Sequence, residues 1–324
     1  MDRRQFLAAM AASSAGLAAP FAQAQDWPAN PIRWVVPYPP GGGTDVLART
    51  VAEAMRQTLN QTIVVDNRPG ASTNIGAQIV ATAKPDGYTI MSADNAVLAF
   101  NEHLFSKLSY HPEKDFTYIG GISRFPMALV VNPAFEARNF KEFLAYVKSH
   151  PGQVNYASPG NGSPHHLAME MFKKRTGTFL THIPYRGAAP ALADVMGGQV
   201  PCMFLDLASG LPVILSGKVR ALAIGTGKRL LSLPDLPTLA EVGVPDSEVY
   251  AFQGLLGPAH MPAAVVQRLN AELNKALASA PVAKRMMDFG MEALPGTPEQ
   301  FLAMSRAESK RWGAIIKSAG VKLD

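Results

Sequence analysis

Short apolar runs alternate along the chain with stretches in which apolar residues recur every three or four positions. The run Ile32 to Val36 predicts a strand. The next stretch predicts a helix whose apolar face carries Leu47, Val51, Ala54 and Met55. Two more predicted strands, over 62–65 and 88–91, flank a predicted helix over 75–83. This alternation favours βαβ units and a mainly parallel sheet that is buried on both faces.

The same alternation restarts after Pro126 and predicts a second unit of similar size. Its predicted strands cover 127–131, 154–157, 179–183, 200–205 and 220–224, and its predicted helices cover 140–149, 165–175, 190–196 and 211–216. One more strand over 250–256 precedes two helices, of which the last is predicted to begin at the cap Thr297 and to bury Phe301 and Trp312. Because no low-complexity linker separates the two units, we expect two lobes that close on a cleft.

Length and composition fit a globular protein of two domains. The chain has 324 residues, of which 48% are hydrophobic and 17% charged, and a typical domain has about 150 residues. The single cysteine, Cys202, excludes an intrachain disulfide and a thiolate zinc cluster. The formal net charge of +5 suggests an acidic partner. The basic residues are not interleaved with aromatic ones, however, so we expect no nucleic-acid partner.

The first 24 residues have the pattern of an export signal. Arg3 and Arg4 precede an apolar, Ala-rich stretch that is too short to span about 30 Å of hydrocarbon. Residues 22–24 offer the small-x-small pattern of signal peptidase, so we predict cleavage between Ala24 and Gln25. The paired arginines favour the twin-arginine route, and the Sec route stays open. The mature protein is therefore expected to be soluble and periplasmic.

Three loops carry the candidate chemistry, and each joins a predicted strand to a predicted helix. The first runs from Tyr38 to Asp45 and contains three consecutive glycines. Glycines let backbone N–H groups approach a ligand, and a helix N-terminus carries about half a positive charge. The loop lacks the Lys-Ser/Thr of a Walker loop and the third glycine of a dinucleotide fingerprint. It predicts an anion-binding cradle, and the alternative is a tight turn capped by Asp45.

The second loop, residues 156–166, offers amide, hydroxyl and imidazole groups. His165 and His166 are adjacent, whereas zinc motifs place histidines at i and i+4 on one helix face. We therefore expect no metal site, with one histidine packed or hydrogen-bonded and the other solvated. Ser163 lies near His166, but no GxSxG elbow surrounds it, and this pattern gives little support to a serine hydrolase.

The third loop, residues 183–190, places small residues at the start of a predicted helix. Arg186 in this loop can pair with a carboxylate through two hydrogen bonds, or it can be an exposed structural arginine. Asp206 ends another predicted strand. It can line the cleft or orient a donor there, and the alternative is a helix cap.

These loops resemble those of the tripartite tricarboxylate transporter substrate receptors, also called the Bug family of periplasmic solute-binding proteins. The sequence VVPYPPGGGTD at 35–45 carries much of the resemblance. The other matching stretches are 31–33, 66–71, 74–76, 85–89, 155–158, 160–163, 184–187 and 233–238. Each stretch is short, but together they are distributed through almost the whole mature chain, and their combination is specific to the family.

The resemblance implies an α/β, type II-like periplasmic-binding fold. Two lobes, each a mainly parallel sheet flanked by helices, would enclose a ligand cleft. Residues 25–125 and 250–324 would form lobe 1, and residues 126–249 would form lobe 2. The chain crossings near 124–127 and 247–252 would form the hinge, and the C-terminal helices would return to lobe 1.

The resemblance also implies a function and its site. A monomeric receptor would capture a small carboxylate, such as a di- or tricarboxylate, an aromatic acid or an acidic amino acid, and deliver it to a membrane permease. No catalysis, cofactor or metal is expected. Ligand contacts are expected at Tyr38, Gly42, Gly43 and Thr44 in lobe 1 and at Ser158, Asn161, Gly162, Ser163, His166, Tyr185, Arg186, Gly187, Ala188 and Asp206 in lobe 2.

Some features stay open at this point. Around the second loop, this chain has Pro159, Pro164 and His165 where smaller residues are common in the family. These three residues affect the shape of the pocket, and the identity of its ligand therefore stays open. Two other functions also remain. The chain could present its solute to a membrane kinase as a sensory receptor, or it could be an exported α/β hydrolase that uses Ser163 or His166.

Overall fold

The computed structural model describes residues 27–324, so the export signal predicted over residues 1–24 lies outside the described residues. The strands are β1 (Ile32–Val36), β2 (Ile63–Asn67), β3 (Thr89–Asp94), β4 (Phe116–Val131), β5 (Asn155–Ser158), β6 (Thr181–Pro184), β7 (Cys202–Asp206), β8 (Arg220–Ile224), β9 (Tyr250–Pro258) and β10 (Glu292–Ala293). The helices are α1 (Gly43–Leu59), α2 (Asn74–Ala81), α3 (Asn101–Leu104), α4 (Phe140–Ser149), α5 (Pro164–Thr176), α6 (Ala188–Met196), α7 (Leu207–Leu215), α8 (Ala263–Leu277), α9 (Ala280–Asp288) and α10 (Pro298–Ala319).

The strands form two groups, which we call the first and second lobes. In the first lobe β2, β1 and β3 run parallel in that order, as the βαβ alternation predicts. In the second lobe β7, β5 and β6 form a second parallel set. The two-lobed α/β architecture predicted from the sequence is therefore present.

Antiparallel strands join the two lobes, and the βαβ alternation does not predict them. The N-terminal part of β4 pairs with β9, and β9 pairs with β3. The C-terminal part of β4 continues into the second lobe and pairs with β7 and β8. One continuous strand thus belongs to both sheets, so the lobes are connected by hydrogen-bonded backbone.

Each lobe has its own apolar core. In the first lobe, α1 buries Leu47, Val51 and Met55 against Trp34 of β1, as the helical spacing predicts. The second core surrounds Phe204 of β7 and includes residues of α4 and α5. Ala54, predicted on the apolar face of α1, is only partly buried, whereas Ala48 and Ala52 are buried and widen that face.

The C-terminal helices contact more than the first lobe. Helices α8 and α9 pack on its core, in agreement with the expected return to lobe 1. Helix α10 spans both cores: its Phe301 packs on Tyr118 at a ring-centroid distance of 5.5 Å, whereas its Trp312 packs on Phe100 at 5.3 Å within the cluster that contains Phe204. The residue boundaries assigned to the two lobes stay a prediction.

A buried asparagine, Asn95, connects the end of β3 to β9. The Asn95 side chain accepts a hydrogen bond from the backbone N–H of Phe252 at 2.6 Å and donates to the carbonyl oxygen of Tyr250 at 3.2 Å. The amide thus pairs with β9 as a backbone peptide would. Arg124 of β4 lies 4.6 Å from the Tyr250 ring and pairs with Glu292 of β10 at 2.6 Å. These contacts brace the region predicted to be the hinge.

Candidate functional site

Four helices begin at the carboxyl ends of neighbouring strands. Helix α1 follows β1 in the first lobe, and α5, α6 and α7 follow β5, β6 and β7 in the second. Because β5, β6 and β7 are parallel, their carboxyl ends and the helix starts that follow them lie at one edge of the sheet. The second and third predicted loops and Asp206 therefore come together at this edge.

The glycine loop of the first lobe is folded around a buried carboxylate. Asp45 accepts hydrogen bonds from the backbone N–H of Gly41 at 2.9 Å and from the Asn67 amide at 2.9 Å, and it pairs with Arg49 at 3.0 Å. Burial alone would raise the pKa of Asp45, but these donors hold it below its usual value. The loop is therefore a turn organised by Asp45.

This turn leaves helix donors available. The N–H groups of Gly43 and Thr44 have no hydrogen-bond partner among residues 27–324. The cradle and the capped turn, posed as alternatives from the sequence, thus coexist in one loop. Gly42 occupies the N-cap position without a side-chain cap.

Tyr38 is already engaged beside the loop. Its hydroxyl donates to Asp94 at the end of β3, and Asp94 also accepts from the backbone N–H groups of Ala96 and Val97. Burial raises the pKa of both Tyr38 and Asp94. Asp94 was not among the predicted residues, because its role depends on a tyrosine 56 positions away along the chain.

In the second loop, Ser158 serves the loop itself. It is fully buried, and its hydroxyl lies 3.0 Å from the carbonyl oxygen of Gly160 and 2.6 Å from Nε2 of His182. Ser163 caps α5 by accepting from the His166 N–H at 3.3 Å. Asn161 is exposed at the tip of the loop. The loop therefore offers Asn161 and backbone groups to a ligand more readily than its hydroxyls.

His166 also holds the loop in place. Its Nδ1 accepts a hydrogen bond from the N–H of Gly162 at 3.0 Å, and its ring stacks on His182 at 4.0 Å. Tyr156 also stacks on His182, at a ring-centroid distance of 4.8 Å. Burial lowers the pKa of both His166 and His182 to about 4, so both rings are neutral at pH 7. His182 gave no sequence signal, because its partners come from two other elements.

The expectation that one of the adjacent histidines is solvated is wrong. His165 and His166 are 8% and 6% exposed. They point to different partners, as neighbours on a helix should: His165 Nε2 lies 3.0 Å from Oδ2 of Asp206, whereas His166 reaches Gly162. Within residues 27–324 no group of three or more His, Cys, Asp or Glu residues is arranged to hold a metal ion.

The third loop is bound to the second by backbone hydrogen bonds. The N–H of Tyr185 donates to Ser158 O at 2.9 Å, and the N–H of Gly187 donates to Pro159 O at 3.0 Å. The Tyr185 hydroxyl donates to Asp194 at 2.6 Å, and burial together with this bond raises the pKa of Tyr185 to about 12.

Arg186 differs from its neighbours in the third loop. It is exposed and has no ion-pair partner among the described residues. Gly187 then caps α6 at φ 123°, a conformation that favours glycine, and Ala188 opens the helix. A guanidinium without a partner thus lies at the start of α6.

Asp206 caps α7 and also orients a histidine. It accepts hydrogen bonds from the N–H of Ser209 at 2.9 Å and from the Ser209 hydroxyl at 2.8 Å, in addition to the bond with His165. Burial alone would raise the pKa of Asp206, but the hydrogen bonds from His165 and Ser209 lower it. Asp206 is therefore ionised, and both of its carboxylate oxygens accept hydrogen bonds from protein donors. Both sequence interpretations, helix cap and orienting group, describe it.

The lobes approach each other at these loops. A Cβ built on Gly43 would lie 3.4 Å from Cβ of Ala208 in the first turn of α7. A Cβ built on Gly162 would lie 2.8 Å from Leu104 and from Leu323, which belong to α3 and the C-terminal segment. The candidate site therefore lies where the two lobes are in contact. A side chain at position 162 would collide with Leu104 and Leu323, whereas a Cβ at position 43 would be in ordinary contact with Ala208.

This arrangement suits an anion better than a metal or a nucleophilic reaction. Several helix N-termini present partial positive charge, and Arg186 adds a full charge. The hydroxyl of Ser163 is used as a helix cap, and the Nδ1 of His166 is occupied by Gly162. These contacts give the hydrolase alternative no base–nucleophile pair at Ser163 and His166.

A surface groove of about 850 Å³ lies elsewhere on the second lobe. Its lining comes from the start of α4, the end of α7 and residues 232–237. The guanidinium of Arg220 in this groove is already held by the carbonyl oxygens of Pro133 at 3.0 Å and Ala137 at 3.2 Å. The groove therefore offers less free polar chemistry than the loops between the lobes.

Comparison with known proteins gives a consistent picture. The family model of the tripartite tricarboxylate transporter family receptor matches residues 47–321. Protein BugT of Bordetella pertussis is 35% identical over 312 residues, which cover 96% of this chain and 95% of BugT.

Two solved structures are similar throughout. An R. palustris protein solved with adipate has 34% identity and a TM-score of 0.86, and the match covers 92% of this chain and 99% of that protein. MatC from Rhodopseudomonas palustris, solved with bound malate, has 32% identity and a TM-score of 0.82, with 90% and 100% covered. Among residues 27–324, no helix has both the length and the apolar character needed to cross a membrane.

Proposed function

The chain belongs to the tripartite tricarboxylate transporter receptor family, and from this premise we propose that it is a periplasmic receptor that binds a small carboxylate between its lobes. The bound carboxylate would be delivered to the membrane permease of a tripartite transporter. The observation that supports this proposal best is the contact between helix N-termini of the two lobes: the start of α1 at Gly43 lies next to Ala208 at the start of α7, and α5 and α6 begin at the same sheet edge as α7.

The chemistry of this surface matches a carboxylate. Free N–H groups at Gly43 and Thr44 offer hydrogen bonds to an anion, and the dipole of α1 favours negative charge there. Hydrogen bonds to charged groups contribute about 1.5–3 kcal/mol each. A few of them suffice for micromolar binding, which corresponds to about −8 kcal/mol, after the ordering costs are met.

The similar proteins support the same class of ligand. One was solved with adipate and another with malate, and both are dicarboxylates that differ in length and in a hydroxyl group. Two such different acids on one fold point to loop side chains as the source of selectivity. A carboxylate is therefore the class proposed for this chain.

A ligand screen tests the class. The mature protein would be mixed with mono-, di- and tricarboxylates, aromatic acids and acidic amino acids, and its melting temperature would be measured, because a ligand that binds the native state raises it. Sugars and inorganic cations serve as comparison ligands. Stabilisation by a carboxylate supports the proposal, whereas stabilisation by sugars or cations and by no carboxylate would overturn it.

The variant Arg186→Gln tests the charged part of the site. We expect affinity for the best carboxylate to fall about tenfold to a hundredfold, since a charge-assisted hydrogen bond is lost. Titration calorimetry measures the change. The control is Arg138→Gln, which removes an exposed arginine outside these loops. Equal affinity in Arg186→Gln and wild type would exclude Arg186 from the site.

Delivery to a permease and a monomeric state are further parts of this proposal, and each needs its own test. Light scattering on the mature chain is expected to give the mass of one chain with and without ligand. Membrane vesicles that carry the permease subunits are expected to accumulate labelled carboxylate only when the receptor is added. Uptake that does not depend on the receptor would favour the sensory alternative.

A further inference from the structure

His165 in the candidate site is buried, but only one of its two ring nitrogens is hydrogen-bonded. The His165 side chain is 9% exposed, and its Nε2 lies 3.0 Å from Oδ2 of Asp206. Its other ring nitrogen, Nδ1, is inaccessible and has no hydrogen-bond partner within the described chain. Buried polar atoms are nearly always paired, so an unpaired one at a ligand site calls for a partner from outside the protein.

The contacts of Asp206 define what Nδ1 can do. A carboxylate that is ionised only accepts hydrogen bonds, and Asp206 already accepts two from Ser209. The proton between His165 and Asp206 therefore lies on Nε2. In the neutral ring Nδ1 is then a hydrogen-bond acceptor, because one nitrogen donates and the other accepts. A proton on Nδ1 would leave a buried N–H without an acceptor, which is the more costly arrangement.

His165 lies where the lobes meet. It belongs to the first turn of α5, and its partner Asp206 caps α7. Two residues further on, Ala208 faces Gly43 of the first lobe. His165 therefore adds an unpaired acceptor to a helix start beside this contact, whereas the other unpaired groups of the candidate site among residues 27–324, the α1 N–H groups and Arg186, are donors.

We propose that His165 is a specificity-determining residue whose Nδ1 accepts a hydrogen bond from a hydroxyl or ammonium group next to a carboxylate of the ligand. The donors of the cleft would hold the carboxylate, and His165 would distinguish substituted acids from plain ones. A site built to hydrogen-bond one ligand group rejects an analogue that lacks it, since the buried protein atom is then left unpaired. This proposal rests on the proposed carboxylate-binding function.

Matched ligand pairs test the proposal. Titration calorimetry would compare succinate with malate and with aspartate, and propionate with lactate and with alanine. One of these two series, the succinate series or the propionate series, will bind the wild-type protein more tightly. Within that series we expect the hydroxy acid or the amino acid to bind at least tenfold more tightly than the plain acid. Comparison of the hydroxy acid with the amino acid identifies whether His165 accepts from a hydroxyl or from an ammonium group.

Variants assign the preference to His165. In His165→Leu the substituted and plain acids should bind within about twofold of each other, while the plain acid still binds. His165→Gln can retain an acceptor oxygen, and we expect it to keep part of the preference. The control His111→Leu removes an exposed histidine of the first lobe, and its preference should equal that of wild type.

A spectroscopic measurement covers the case in which His165→Leu does not fold. In wild-type protein with ¹⁵N-labelled histidine, Nδ1 of His165 should give the resonance of an unprotonated nitrogen, and a substituted acid should shift it whereas a plain acid should not. A protonated Nδ1 in the complex would overturn the acceptor role. Equal affinity for plain and substituted acids would overturn the selectivity and leave carboxylate binding intact. Binding of no carboxylate at all would overturn the proposed function.

Discussion

Several residues at the candidate site have a different role from the one that their chemical type suggests. Ser158, Ser163 and His166 have the groups of a catalytic site, yet their hydrogen bonds hold the second loop and the start of α5. The sequence identified loops that lie at the carboxyl ends of strands in the structure, but it could not distinguish residues that support a loop from residues that are left available to a ligand. That distinction depends on partners such as His182, which are far apart in the chain and close in space.

The buried histidines predict an acid-sensitive fold. Burial holds the pKa of His166 and of His182 near 4 in the native state, whereas an unfolded histidine titrates near 6.5. Below pH 6.5 the unfolded chain binds protons that the native chain does not, so the free energy of unfolding falls until the pH reaches about 4. For the well-buried His166 the loss amounts to roughly 3 kcal/mol.

Urea unfolding at a series of pH values measures this effect. In His166→Asn, whose amide oxygen can still accept from Gly162, we expect a smaller loss of stability between pH 6.5 and pH 4. The control His111→Asn changes an exposed histidine and should follow the wild-type curve. A His166→Asn curve parallel to wild type would show that His166 does not carry the acid sensitivity.

At the level of secondary-structure elements, the periodicity of apolar residues predicted regular helices and strands and missed some elements that contain glycines. Helix α4 and strand β8 have the predicted bounds. The N-terminal part of β4 was missed because Gly120 and Gly121 interrupt its pattern, and the pairing with β9 shifts register there. These glycines are required by packing: a Cβ on Gly121 would lie 2.7 Å from the carbonyl oxygen of Leu294.

The start of α7 was also misplaced, by four residues. Gly210 and Ser209 resemble a loop, so the helix was predicted from 211, whereas it begins at Leu207. Gly210 is needed because a Cβ there would lie 2.6 Å from Leu205. The short helix α9 was not predicted at all. In each case a contact with residues elsewhere in the fold decides the local structure, and the local sequence pattern does not reveal that contact.

The cap of α10 gives a prediction at this scale. The Thr297 hydroxyl accepts from the N–H of Gln300 at 3.2 Å, and the Gln300 side chain accepts from the N–H of Thr297 at 2.9 Å. Thr297→Ala removes half of this capping box and should lower the free energy of unfolding by about 1 kcal/mol. Thr297→Ser keeps the hydroxyl and should stay close to wild type in the same urea titration. If both variants unfold alike, the cap does not stabilise α10.

For the whole molecule, the two-lobed architecture and the loops at its cleft were predictable because βαβ alternation and helix N-termini are local patterns. Local patterns did not predict the strand pairing that connects the lobes, because β4, β9 and α10 join residues that are more than a hundred positions apart. Only the family resemblance indicated chain crossings near 124–127 and 247–252. Closure of the lobes is the property on which delivery of a ligand would depend. A ligand shifts the equilibrium towards the closed state only if it binds that state more tightly.

A disulfide across the cleft tests this coupling. A Cβ on Gly43 would lie 3.4 Å from Cβ of Ala208, close to the 3.5–4.5 Å typical of disulfides. In the variant Gly43→Cys with Ala208→Cys, oxidation should therefore be possible in the closed state. A carboxylate that favours closure should accelerate it, and the oxidised form should release that ligand more slowly than the reduced form. The natural Cys202 is buried, and burial raises its pKa, so it should not compete.

Non-reducing electrophoresis and ligand-release kinetics measure the two effects. The control pairs Gly43→Cys with Leu215→Cys, at the exposed far end of α7, and should not form the bond. Because α7 rises about 1.5 Å per residue, the two pairs differ mainly in their distance across the cleft. Ligand that leaves the rate of Gly43–Ala208 oxidation unchanged would show that binding and closure are independent. The helix N-termini of the two lobes would then not act on the same ligand.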